Sequence, residues 1–160
     1  MKKYVIVILI LQTWACKSSL EPSHAQVIIP NTKVLASEVV LRKNGPLLLV
    51  NNSLYSGYLE QAYTNEGFTS VTGYFEGKKE GKAEQFYSTG ELKEVRYYQN
   101  NRKSGNHKGW WPNGLKKFDI NFVNGLTQGE SKEWFQDGSP FKFFTYQDGQ
   151  EIGSQKMWEE

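Results

Sequence analysis

The sequence predicts an all-β fold, an elongated single-layer antiparallel β-meander built from hairpins copied every 24 residues. Three observations carry this. Gly57, Gly81, Gly105, Gly129 and Gly153 recur at a constant interval. Ring-bearing residues keep the same step, with Tyr63, Tyr87, Trp111 and Phe135 in one column and Tyr74, Tyr98, Phe122 and Tyr146 in another. Turn signals alternate at intervals of about 10 and 14 residues with no stretch of helical period, the layout of strands joined by tight turns.

The first residues read as an export signal. Lys2 and Lys3 make a basic start, Tyr4 to Leu11 an apolar run, and Thr13-Trp14-Ala15 a polar-to-small approach to Cys16. The apolar run is too short to span roughly 30 Å of hydrocarbon as a helix, so residues 1–15 are expected to be a signal peptide. Cys16 is the single cysteine of the chain. With Thr13, Trp14 and Ala15 it resembles the lipobox of signal-peptidase-II substrates, although Leu is usual at the Thr13 position and Trp14 is bulky. That resemblance implies acylation of Cys16 and a bacterial lipoprotein on the inner or outer membrane. Ordinary cleavage with a free thiol, or an uncleaved anchor, are the alternatives. Without Lys2 and Lys3 the 19 basic side chains become 17, equal to the 17 acidic ones. A nucleic-acid partner is not expected of a chain without a basic stripe.

Residues 16–36 mix Ser, Pro and polar residues and read as the lipidated N terminus and a flexible tether. The repeat domain is placed at 37–160. It opens with a hairpin whose strands, Val39 to Leu41 and Leu47 to Val50, are joined through Lys43-Asn44-Gly45, since an Asn-Gly pair suits positive φ at both central positions. Repeats follow near 57–80, 81–104, 105–128 and 129–152, with a half repeat at 153–160. Each holds two strands and two turns. In the second, Ala83 to Tyr87 and Glu91 to Gln99 are strands around Ser88-Thr89-Gly90, and Asn100-Asn101 is the tight turn. The tight-turn column is Asn52-Ser53, Glu76-Gly77, Asn100-Asn101, Asn124-Gly125 and Asp148-Gly149. The phased glycines Gly57, Gly81, Gly105, Gly129 and Gly153 fall where a strand bulges or meets its neighbour closely.

A further column, Ala62, Phe86, Trp110, Trp134 and Trp158, stands next to the Tyr63 column. Neighbours on a strand point to opposite faces, so both faces should carry rings, stacked across the strands. About ten strands at about 4.8 Å give an array on the order of 45 Å long.

The phasing of Tyr74 to Gly90, Tyr98 to Gly114, Phe122 to Gly138 and Tyr146 to Trp158 resembles the MORN-type repeat, and in particular the YwqK-like variant found in bacterial proteins labelled as antitoxin components. The resemblance covers about residues 50–160. It departs at Asn101, where Gly is usual, and at Gly67, one residue late for its column. It implies a binding or scaffolding surface, in some cases at membranes, and it suggests an antitoxin or immunity role as an alternative.

Catalysis is not expected. His24 lies in the tether, and His107, in a column with Ala83, Ser131 and Gln155, reads as a solvated strand position without an oriented partner. No cofactor and no metal site is expected from one cysteine and two separated histidines. Glu84, Glu94, Lys108, Lys132, Lys142 and Lys156 read as the polar positions of a wet sheet face. The candidate binding face is the column Tyr63, Tyr87, Trp111 and Phe135, weighed against a purely structural duty for the same rings. The expected partners are a membrane through acylated Cys16 and a protein. A glycan is the alternative, echoed by Gly109-Trp110-Trp111.

Overall fold

A computed structural model of the chain describes residues 27–159. The signal segment, Cys16, His24, the greater part of the tether and Glu160 lie outside the described residues.

The chain forms fourteen strands: β1 (Lys33–Leu35), β2 (Leu41–Asn44), β3 (Leu47–Val50), β4 (Ser53–Leu54), β5 (Gly57–Tyr63), β6 (Phe68–Phe75), β7 (Lys78–Tyr87), β8 (Leu92–Gln99), β9 (Arg102–Lys103), β10 (Gly105–Trp110), β11 (Lys116–Val123), β12 (Leu126–Trp134), β13 (Pro140–Gln147) and β14 (Gln150–Met157). Among the described residues the only helical element is a single 3-10 turn, Thr64–Glu66. The main sheet runs β1-β5-β6-β7-β8-β10-β11-β12-β13-β14, with β9 continuing the β10 side against β8. It is an open meander, antiparallel throughout except where β1 runs parallel to β5.

Three local expectations shift. Residues 33–35, placed in the flexible tether, form β1, because Val34 packs on the apolar cluster below and the backbone pairs with Tyr58 to Glu60. The first hairpin turns at Gly45-Pro46, one residue later than expected, with Asn44 paired to Leu47. Only Gly45 needs positive φ there (+57°), the pattern of a II′ turn, and the Pro46 ring holds the second position at negative φ. The next turn is Asn51-Asn52, one residue earlier than expected, since both residues take left-handed φ (51° and 66°) and Asn tolerates this better than Ser53.

β2, β3 and β4 make a small second sheet. It covers one end of the main sheet, so the structure is two layers deep there. Leu48, Val50 and Leu59 form the buried cluster, flanked by Val34, Leu41, Tyr55 and Tyr74. Beyond it the sheet is one layer thick.

The tight turns tie each repeat to the one before. The second turn residue donates its N–H to a carbonyl 22 positions back: Gly77 to Tyr55 (2.7 Å), Asn101 to Lys79 (3.0 Å), Gly125 to Lys103 (2.8 Å) and Gly149 to Thr127 (2.9 Å). The first turn residue often donates to a side chain 20 positions back, as Glu76 does to Ser56, Asn100 to Glu80 and Asp148 to Gln128, each at 2.8 Å. These bonds need the returning strand to swing outward, and the phased glycines supply the swing. Between the pairs Tyr74↔Lys79 and Thr72↔Ala83, a single residue opposes the three centred on Gly81. Gly81, Gly105, Gly129 and Gly153 all take φ between 63° and 75° at this bulge.

Residues opposite in register share a face. One face carries the row Leu59, Thr72, Ala83 and Arg96, and on the next strands His107, Ile120, Ser131 and Phe144. The other carries Glu60, Val71, Glu84, Val95, Lys108, Asp119, Lys132, Phe143 and Lys156. Rings 24 apart do not stack directly. They stand on alternate strands, about 9.6 Å apart, beyond the reach of ring pairs. A side chain of the intervening strand bridges them instead. His107 lies between Tyr98 (5.9 Å) and Phe122 (4.6 Å), and Phe143 between Trp134 (5.6 Å) and Trp158 (5.1 Å).

Glu76 is the one tight-turn residue with neither an Asn or Asp side chain nor a glycine backbone at positive φ (49°). Glu76→Asn should raise unfolding stability by about 0.5–1 kcal/mol in urea melts, because Asn suits the first position of this turn. A loss of stability would show that the Glu76 side chain contributes more than its backbone strain costs.

Candidate functional site

Tyr87, Trp111 and Phe135 open the longer hairpin loops. Each donates its backbone N–H four residues on, to Glu91, Leu115 and Ser139, and accepts from Gly90, Gly114 and Gly138. This places them along the sheet edge opposite the tight turns. The Tyr87 hydroxyl donates to the Trp110 carbonyl (2.8 Å), and Trp111 Nε1 donates to that of Trp134 (3.1 Å). Tyr87 and Trp111 therefore each fasten their repeat to the next. Lys117 lies 4.1 Å from the Trp111 ring centre, and Phe141 packs 4.9 Å from Phe135. These three half-buried rings carry out structural work and leave little open ring face.

Tyr63 differs from its column. The 3-10 turn after it ends at Gly67 (φ 69°), and Tyr63 stacks on Phe68 at 4.5 Å. From there Tyr63 lines a groove on the face that carries His107.

The groove has about 460 Å³ where the small sheet overhangs the main one. Leu41, Leu48 and Leu59 give it an aliphatic wall, Lys43 a cationic rim, and Tyr63, Tyr74 and Lys79 its sheet-side lining. Burial, then the charges of Tyr63 and Tyr98, push the Tyr74 hydroxyl up to about 12, so it stays a neutral donor. Asn101 holds the two sheets together at this point. Its side-chain oxygen accepts from the Lys79 N–H (2.7 Å), and its amide donates to the Pro46 carbonyl (3.2 Å). The departure from Gly at Asn101 thus serves the groove.

Tyr63 and Lys79 also line a second compartment of about 200 Å³ that reaches Arg96 and Glu94. Arg96 in turn borders a third, about 190 Å³, beside Lys103 and His107. The first and second share Tyr63 and Lys79, the second and third share Arg96, and all lie along one face. Glu94 is buried and accepts from Arg96 at 2.7 Å. It is therefore not the wet-face position expected of it. The hydrogen bond to the carboxylate and its charge hold the Arg96 guanidinium above its ordinary range despite burial.

His107 is likewise no solvated position. It is 2% exposed, the most enclosed large side chain among the described residues. Its Nε2 lies 2.9 Å from the Tyr97 carbonyl, which can only accept, so Nε2 carries the proton. Burial first, and then the nearby Arg96 and Lys103 charges, push its pKa below the usual histidine value against the hydrogen bonds to backbone. With Tyr98 and Phe122 on either side, His107 serves as packing. The spacing that put His107 in a strand does not distinguish enclosed from wet positions where the adjacent strand brings rings over it.

The groove cations were legible only in part. Arg96 stands in a column with Thr72, Ile120 and Phe144, and a charge in such company is the signal that marks it. Lys79 has no such mark, because Lys103 follows it in the same column. Its position in the groove comes from the overhanging hairpin, which lies outside the repeat.

A buried base with a depressed pKa favours the neutral form in the folded chain. The unfolded chain then binds more protons, and stability falls as the pH drops through about 6.5 toward the folded value. His107→Gln should flatten a plot of denaturation midpoint against pH between 7.5 and 5, relative to wild type. His24 is common to both proteins and cancels. Parallel profiles would refute the assignment.

In comparisons with known proteins, no protein-family model matches the chain, and no curated protein matches it.

Proposed function

We propose that the chain is a non-enzymatic docking protein of a bacterial cell envelope. Acyl chains on Cys16 hold it at a membrane, and its MORN-like repeat sheet presents the groove face to a protein partner. The observation that carries this reading is the groove, with smaller hollows beside it on one face of an open sheet and with aliphatic, aromatic and cationic walls. Such a cleft can receive the anchoring side chains of a protein partner. The lipobox-like approach to Cys16 supports the anchorage, and more than one acyl chain gives stable attachment where one is marginal.

The same geometry argues against a glycan partner. Sugar stacking needs open ring faces. Here ammonium groups lie over Phe68 (Lys93, 3.8 Å), Trp111 (Lys117, 4.1 Å), Phe122 (Lys103, 4.7 Å) and Phe144 (Lys142, 4.3 Å).

Cys16→Ser should move the protein from the membrane to the soluble or unprocessed fraction and abolish acyl labelling. A photo-crosslinking residue at position 63, in the groove, should then capture a discrete protein in native envelopes, whereas one at position 156, on the opposite face, should not. Unchanged membrane partitioning of Cys16→Ser would remove the anchorage. Equal capture from both faces would remove the groove as the docking surface.

A further inference from the structure

The groove carries more positive charge than the fold requires. Lys79 is half-buried there, with its ammonium 5.0 Å from the Tyr98 ring centre, and no carboxylate pairs with it among the described residues. Lys43 faces it from the overhanging hairpin, and Arg96 lies in the adjoining compartment. The carboxylate that faces that compartment, Glu94, is engaged with Arg96 (2.7 Å), while Glu84 stands on the other face, paired with Lys82 (2.6 Å). Burial, then Arg96 and Lys43, push the Lys79 pKa below the ordinary lysine value. Arg96 Nε is buried without a hydrogen-bond partner.

Like charges gathered in a half-buried site oppose one another, and an anion relieves them. The repeat keeps a lysine one step on, with Lys103 over Phe122 as Lys79 is over Tyr98. It does not call for the gathering of charge: Ile120 stands in the position of Arg96 one repeat on, and Lys43 comes from the hairpin outside the repeat. Next to the cations lies the aliphatic wall of Leu41, Leu48 and Leu59. A ligand that satisfies both needs acidic groups beside an apolar one.

We propose that the groove binds an acidic peptide segment, seating one apolar side chain against Leu41, Leu48 and Leu59 while its carboxylates meet Lys43 and Lys79. This rests on the protein-docking reading above and names the chemistry of the partner. An acidic polysaccharide would match the charge but would leave the aliphatic wall empty.

The test is fluorescence anisotropy on the full chain in detergent micelles. The probe is a labelled hexapeptide of alternating leucine and glutamate. Hexapeptides of leucine and lysine and of serine and glutamate are the controls, with alginate as competitor. The leucine–glutamate peptide should bind at least about tenfold more tightly than either control, and added salt should weaken it, as expected of charge-assisted contacts. Lys79→Gln and the exposed Lys43→Gln should each weaken binding by about tenfold, and Lys156→Gln on the other face should not change it. Lys43→Gln keeps the test valid if Lys79→Gln disturbs the fold. Equal affinity for the three peptides, indifference to Lys43→Gln, or displacement by alginate below peptide concentrations would overturn the proposal. Groove-specific crosslinking combined with no peptide preference would reject the acidic segment and leave the docking reading intact. Peptide preference with equal crosslinking from both faces would do the reverse.

Discussion

A sheet one layer thick has little to bury its faces against, so beyond the strand ladders themselves the repeats are tied to one another along the sheet edges. The bonds from each tight turn to a carbonyl 22 residues earlier do this on one side, from Gly77–Tyr55 to Gly149–Thr127. On the other side Tyr87 and Trp111 reach the carbonyls of the following repeat. These are net contributions of about 1 kcal/mol each, but the turn bonds recur from repeat to repeat, as expected when stability is a sum of nearest-neighbour terms. Between the edges, lysine stems and ammonium groups cover ring faces in place of a second layer, as Lys117 covers Trp111 and Lys103 covers Phe122.

The bulges follow from the same constraint. If a returning strand ran straight, its turn could not bend back toward the preceding one. The residues around Gly81 and Gly129 accommodate the bend, which explains why the most regular feature of the sequence is a glycine where φ is positive. The run of such glycines ends with Gly153 on β14, whose outer edge has no paired strand among the described residues.

Most of the fold was legible because repeated residues mark repeated backbone geometry. The tight turns from Glu76-Gly77 to Asp148-Gly149 and the strands between them fall where the phasing puts them. What the phasing could not reveal lies outside the repeat or between strands. β1 pairs parallel to β5 through contacts 25 residues apart, such as Lys33 with Tyr58, which no local pattern announces. The turns lie at Gly45-Pro46 and Asn51-Asn52, one residue from the expected positions, because Pro46 suits the negative φ of a second turn residue and Ser53 tolerates positive φ less well than Asn51. Rings in the same column looked like a stack, but two strand spacings separate them, and His107 or Phe143 fills the gap. The groove was invisible for a similar reason. Its cations come from β2, β7 and β8, and only the overhang of the small sheet brings Lys43 to Lys79.

The turn-to-turn bonds are the claim on which the architecture stands, and amide hydrogen exchange tests them directly. In an isolated two-residue hairpin the N–H of the second turn residue faces water and exchanges freely. Here the amides of Gly77, Asn101, Gly125 and Gly149 should be as protected as those in the middle of the neighbouring strands. Exchange of these four at the rate of an unfolded chain, beside protected strands, would contradict the account.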